Sequence, residues 1–214
     1  VAEAPGSGLD KIHPRIKEIA KRLWLIYFSL TALLTALLWV EGMTGYDAIN
    51  HGLTTMATGG FSTKNASIAF FDDALIQYTI MAFMFIAGIN YTVTYFALTG
   101  RFKRVWASDE FKAYIVIVFG IISIVAFGIG NFHGYSLEES IRYAGFQVLS
   151  MVTTTGFVVV DYTIWSSFLT LLFFLLLFLG ACAGSTSGGI KIIRHLVFLK
   201  NTILEFKRLM PPSA

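Results

Sequence analysis

Charge is scarce in this sequence. Only 14% of the 214 residues are Asp, Glu, Lys or Arg, against about 25% in soluble domains. Hydrophobic residues make up 56%, and the mean hydropathy is +0.69. The shortage excludes an ordinary soluble domain and points to a chain that crosses a membrane several times. Cysteine is nearly absent too. Cys182 stands alone, which rules out an internal disulfide and a cysteine metal cluster; at an apolar-to-glycine junction it reads as a small packing residue. Residues 1–22 are polar and basic with no apolar core, so no signal peptide is visible there. The first residue is Val1 rather than methionine, and both ends are read as possible cuts in a longer sequence. Basic residues are missing from one side. Segments 11–22, 101–112 and 191–208 hold five, four and five of the 16 Lys and Arg, leaving only Lys64 and Arg142 elsewhere. The positive-inside rule then places both termini and the 99–112 loop in the cytoplasm. The same clustering argues against a nucleic-acid partner despite the net charge of +3.

Apolar runs are what the chain has in quantity. Four are long enough to cross hydrocarbon, which takes roughly 18 residues or more, near 23–40, 74–98, 113–130 and 164–183. Residues 1–14 read as a linker, with Pro5, Gly6, Ser7, Gly8 and Pro14. A first unit is expected over 15–98, a basic cytoplasmic loop over 99–112 and a second unit over 113–214. Each unit holds a shorter apolar segment, 46–57 or 141–152, about 18 Å long if helical. Such a segment enters a bilayer without crossing it. Each is followed by a Thr/Gly stretch: Ala57-Thr58-Gly59-Gly60-Phe61 in the first unit, Thr153-Thr154-Thr155-Gly156-Phe157 in the second. The stretches match with an offset of 96 residues, Thr58 on Thr154, Gly60 on Gly156, Phe61 on Phe157. The pattern is span, half-helix, polar return, span, twice over.

A desolvated cation needs several oxygen ligands, and backbone carbonyls with threonine hydroxyls supply them without a full charge. Glycine lets the backbone adopt φ > 0, so that successive carbonyls face one axis, and the aromatic is available to brace the loop. One such loop is equally a turn between helices; two in register point to a cation filter. Glu41, Asp47, Asp72, Asp73, Glu138, Glu139 and Asp161 fall on the outer side, where together they would form a negative mouth. His51 and Gln147 align in the two half-helices and are placed to hydrogen-bond behind the filters. Asn90 is either a cap on broken backbone or a partner for a neighbouring helix. The second span is expected unbroken, the fourth interrupted from Gly180 to Gly189, with an amphipathic helix resuming at about Ile190. Ten Gly, Ser, Thr and other small residues cannot face lipid, because each unpaired backbone group costs several kcal/mol there. They must pack in protein or line a watery cavity, and a flexible gate is the functional reading. Residues 184–191 resemble a phosphate loop but fail its pattern, since Ile190 separates the last glycine from Lys191. Ser185 or Ser187 with His195 makes a poor hydrolase, as no acid is placed to orient the histidine.

These motifs, with Leu23-Trp24-Leu25-Ile26-Tyr27 and 180–191, resemble the Trk/Ktr/HKT superfamily of potassium transport proteins, above all its bacterial TrkH branch. The likeness runs over nearly the whole chain from about residue 12. It implies an all-α membrane protein of tandem span–pore helix–span repeats in a fourfold pseudo-symmetric, potassium-channel-like pore, this chain holding the middle two of four units. It implies potassium at Thr58, Gly59, Thr154 and Thr155, within filters formed by Ala57, Thr58, Gly59, Gly60 and Phe61 and by Thr153, Thr154, Thr155, Gly156 and Phe157. Gly180, Ala183, Gly184, Ser185, Thr186, Ser187, Gly188, Gly189 and Lys191 fall on its intramembrane gating loop. It further implies a bacterial inner-membrane location, homodimerisation, a cytosolic TrkA-like nucleotide-binding regulatory subunit, no covalently bound cofactor and no enzymatic activity. The first and fourth units are absent, as is a basic residue of the family's last inner helix. Half a ring cannot surround an ion. The chain is therefore expected to be part of a longer one, rather than half of a two-copy pore. A sodium-coupled or sodium-permeable transporter, as in the Ktr and HKT branches, is the rival; glycine rather than serine at Gly60 and Gly156 favours potassium. An intramembrane hydrolase is the remote one.

Overall fold

Residues 9–209 are described by the computed structural model, and helices dominate them. They are α1 (Leu9–Val40), α2 (Gly45–Met56), α3 (Ala74–Ala87), α4 (Tyr91–Leu98), α5 (Phe102–Trp106), α6 (Asp109–His133), α7 (Leu137–Val152), α8 (Ser167–Leu176) and α9 (Ile192–Leu209). Single 3-10 turns cover Ser67–Phe70 and Tyr162–Ile164. Two two-residue strands, β1 (Leu179–Gly180) and β2 (Ile190–Lys191), pair in parallel.

Most starts are set by polar side chains at the N-caps. Thr44, Asp73, Asn90, Ser108, Ser136 and Ser166 each accept from a backbone N–H of the turn they open, a contact worth about 1 kcal/mol apiece. At α7 the cap is reciprocal, Ser136 accepting from Glu139 N while Glu139 accepts from Ser136 N. That capping box starts α7 four residues earlier than the apolar pattern of 141–152 indicates. The short α2 agrees closely with the expected segment 46–57.

Several expected boundaries move. α1 begins at Leu9, inside the segment 1–14 expected as a linker; residues 1–8 lie outside the described residues. The 99–112 loop contains α5 and the start of α6. Two helices, over Lys17–Val40 and Asp109–Phe132, are long and apolar enough to cross a membrane. The expected second span is not continuous: α3 and α4 are bent by 110° at residues 88–90. The fourth stops at Leu176, before the Gly/Ser/Thr stretch begins, leaving α8 ten residues long.

α2 packs on α1, and α7 lies between α3 and α6. The core between them is made by Leu34, Leu38, Met56, Ile80, Met84, Tyr114, Phe146, Phe157 and Phe173. Large apolar side chains cover the outside: Trp24, Leu25, Phe28 and Trp39 on α1, Val116, Phe119, Ile124 and Phe127 on α6. Water would not tolerate so much contiguous apolar surface; hydrocarbon would. Arg142, buried on α7, ties α7 to α3 near the start of both helices. It donates to Glu138 at 2.8 Å and to Gln77 on α3 at 2.5 Å, and its guanidinium lies over the Tyr143 ring.

Candidate functional site

The two Thr/Gly segments share one backbone trace. Each follows the C-terminus of a half-helix that its capping residue closes in the right-handed region, Ala57 after α2 and Thr153 after α7. The next residue is left-handed in both, Thr58 at φ 50° and Thr154 at φ 56°. Gly60 and Gly156 are left-handed again, at 64° and 85°. Alternation of handedness along a strand turns successive carbonyls toward one side, the arrangement a cation path requires. Glycine adopts it freely, whereas β-branched threonine does so at a cost of roughly 1–2 kcal/mol.

Hydrogen bonds hold that strain at matching positions. Ala57 N donates to Leu53 O and Thr153 N to Leu149 O; Gly59 N donates to Thr54 O and Thr155 N to Ser150 O. A hydroxyl closes each loop from behind, Thr54 Oγ1 to Phe61 O at 2.9 Å and Ser150 Oγ to Phe157 O at 2.7 Å. Thr54 and Ser150 carry no filter motif themselves, and only the 96-residue register could have singled them out.

The segments also touch each other. A Cβ on Gly60 would sit 1.8 Å from the Thr155 carbonyl oxygen, while one on Gly156 would meet nothing within 4 Å. Phe157 is fully buried with its ring 5.8 Å from His51 of α2. Phe61, its counterpart, is 77% exposed, its ring lying beside Gly59 of its own segment. The two joints therefore run in one direction: the first segment meets the second through Gly60, and the second leans back on the first through Phe157.

His51 and Gln147 part company. His51 bridges Asp47 O and Ser62 Oγ behind the first segment, whereas both amide atoms of buried Gln147 find no partner among the described residues. Asp47 is not part of an open acidic mouth as expected. It is buried, accepts from Thr63 at 2.5 Å and Thr44 at 2.9 Å, and pairs with Lys64 at 3.4 Å. The Thr63 hydroxyl, then Thr44 and Lys64, hold its carboxyl below the usual aspartate range against the opposing effect of burial. Glu138 binds Arg142, and Glu139, Asp73 and Asp161 accept from backbone N–H groups of nearby turns. These acids serve local structure first.

On the other side of the segments lies the 180–191 stretch. β1 and β2 clasp its ends, so residues 181–189 form a closed loop. Thr186 Oγ1 donates to Met56 O at 3.0 Å, directly before the first segment, and Gly188 N donates to Thr154 Oγ1 at 2.7 Å in the second. Lys191 Nζ donates back to Ser187 O and, at 3.0 Å, to Ser187 Oγ. Ser185 Oγ lies 2.8 Å from Ser187 Oγ and donates to Cys182 O. His195 bonds to neither serine among the described contacts, so the hydrolase arrangement is not assembled. Gly180, Ala183, Gly184 and Gly189 supply backbone: Gly180 and Gly189 pack face to face, and Gly184 lies against Asn90.

That last contact explains the bend in the second span. Cys182 N donates to Gly88 O and Tyr91 N donates to Gly184 O, while the Asn90 side chain caps α4 through Thr92 N. Asn90 is thus a cap on broken backbone. The two interrupted helices satisfy each other's exposed peptide groups.

A paired segment of this kind beside a clasped loop has known counterparts. The family model described as "TrkH: Cation transport protein" matches residues 3–214. The chain belongs to the TrkH family. It is 43% identical over its full length to the Trk system potassium uptake protein TrkH of Escherichia coli (strain K12), of which it covers 45%. It is 38% identical over 99% of its length to the protein of that name from Halomonas elongata, covering 44%. The crystal structure of the potassium transporter TrkH from Vibrio parahaemolyticus matches 94% of the chain at TM-score 0.86 and 38% identity, and 44% of that chain is covered. This TrkH-family chain thus spans less than half the length of the curated relatives it matches. Its fold is that of the corresponding part, a mostly helical membrane protein.

Proposed function

We propose that this chain is the central part of a potassium uptake subunit, with 57–61 and 153–157 forming two sides of one cation path. The observation that carries the reading is the duplicated backbone: left-handed Thr58/Thr154 and Gly60/Gly156, closed by Thr54 and Ser150 on the two phenylalanine carbonyls. Carbonyls aligned by that alternation replace part of an ion's hydration shell. The C-terminal ends of α2 and α7, where helix dipoles leave partial negative charge, lead straight into the segments and favour a cation. Thr58, Gly59, Thr154 and Thr155 are the proposed potassium ligands. Ions pass down their electrochemical gradient, with Gly180 to Lys191 as the gate beneath.

The directional joints support a larger ring. Gly60 meets the next segment and Phe157 the previous one; repeated head to tail, such contacts extend beyond a pair and close a ring where the rotation permits. Open space at Gly156 and the exposed Phe61 ring are the surfaces on which further units of a longer chain fit. Relatives named as parts of a Trk system favour a membrane component of a multi-subunit system; a bacterial inner-membrane setting, a homodimer and a TrkA-like cytosolic subunit acting on the basic face of 99–112 and α9 are what we propose for it. Glycine at both 60 and 156 leaves sodium-permeable or sodium-coupled transport the less favoured reading.

Gly156→Ser in the full-length protein tests the assignment. A Cβ at φ 85° strains the left-handed backbone by roughly 1–2 kcal/mol and its hydroxyl alters the ligand field, so the K⁺ over Na⁺ preference in an ion-flux assay should fall. Unchanged preference in a normally expressed variant would remove 153–157 from the path.

A further inference from the structure

Among the described residues, the loop 181–189 is fastened to its surroundings by contacts of different kinds. Cys182 N to Gly88 O and Tyr91 N to Gly184 O are backbone pairs. Thr186 reaches out to Met56 O, and Gly188 N takes the hydroxyl of Thr154. One fastening is ionic. Glu110, in the first turn of α6, accepts the Ala183 N–H through Oε1 at 2.6 Å, across 73 residues of sequence. It is the one charged side chain outside 180–191 that is hydrogen-bonded to the loop.

Glu110 also sits where movement of α9 would arrive. Asp109, its neighbour in the same turn, faces Lys200 of α9 at 3.4 Å and Lys112 at 3.9 Å. α9 leaves the loop directly through β2, so the first turn of α6 touches the loop near its start through Glu110 and the helix that follows it through Asp109. A charged acceptor makes the stronger class of hydrogen bond, and Ala183 N has no other acceptor among the described contacts.

We propose that Glu110 is the positioning residue that keeps the intramembrane loop seated against the two Thr/Gly segments. It acts through the loop, not on the ion. The inference rests on the gating reading of 180–191 for its effect on transport, but not for its effect on the loop itself. Release of the Ala183 N–H frees the strand between Cys182 and Gly184 and loosens the contact with Gly88. Cys182, 1% exposed beside that peptide, then becomes the reporter.

The experiment uses the full-length protein in membranes, any other cysteines replaced, with Glu110→Ala and Glu110→Gln. The readouts are labelling of Cys182 by a small cytosolic thiol reagent, potassium flux without the regulatory partner, and the K⁺/Na⁺ ratio. In Glu110→Ala, labelling and basal flux should each rise about tenfold, the shift expected for losing one charge-assisted hydrogen bond, with the ion ratio unchanged. Glu110→Gln, which retains an acceptor oxygen, should restore most of the protection. Cys182 still protected in a well-expressed Glu110→Ala variant would overturn the proposal whatever the flux. Labelling that rises equally in both variants would also overturn it, because the hydrogen bond would not then be the hold. Labelling that rises in the alanine variant alone while flux stays constant upholds Glu110 as the hold on the loop and refutes the gate.

Discussion

Thr58 and Thr154 are threonines where glycine would be easier. Their left-handed backbone is affordable only because the loop around each is overdetermined, by the N–H bonds to the half-helix and by a hydroxyl on the phenylalanine carbonyl. Ser150 is fully buried, so its alanine variant leaves the Phe157 carbonyl without that donor, a loss of about 1–2 kcal/mol. Ser150→Ala is expected to lower the melting temperature of the purified full-length protein and blunt its K⁺ preference, whereas Ser150→Thr, which keeps the hydroxyl though its methyl crowds a buried site, retains the K⁺ preference. Equal behaviour of the two variants would show that the hydroxyl does not set the loop. The acids teach a related lesson at this scale. The sequence leads one to expect seven acids at an open mouth, but Asp47 is withdrawn from solvent by Thr63, Thr44 and Lys64, partners that no local pattern connects to it. Gln147 shares His51's register yet not its partners, because Ser62 has its counterpart in Val158, which offers no side-chain hydroxyl.

At the scale of elements, short α2 and the paired segments follow from length and register, and both were legible. The bend between α3 and α4 was not. Gly88 and Asn90 alone are weak signals in a 25-residue apolar run, and what opens the helix is backbone more than 90 residues away: Cys182 and Gly184 take up the peptide groups freed at 88 and 91. The early end of α8 has the same origin, since a Leu/Phe run gives no stop signal, and the β1–β2 clasp begins inside it at Leu179. A loop with few side chains to pack should be locally unstable and able to move. Replacing Gly184 to Gly189 with alanines in the full-length protein is expected to raise conduction severalfold, or free it from its partner, with cation preference intact. Gly184 and Gly189 are left-handed, so alanine there is strained and unseats the loop. Flux and regulation both unchanged in a well-expressed variant would make the loop structural.

For the whole molecule, the two units are not independent. Gly60 against Thr155, Phe157 against His51, and the loop bonded to both segments make one assembly with two open joints. Its scale agrees with covering 45% of the Escherichia coli relative. The account's central claim is that the carbonyls of the paired segments bind the ion. It is tested most directly by diffraction from the full-length protein with rubidium or thallium in place of potassium. Anomalous peaks are expected on the axis between the two segments, coordinated by backbone oxygens at Thr58, Gly59, Thr154 and Thr155. Peaks that fill sites elsewhere while that axis stays empty, at ion concentrations that support transport, would contradict it.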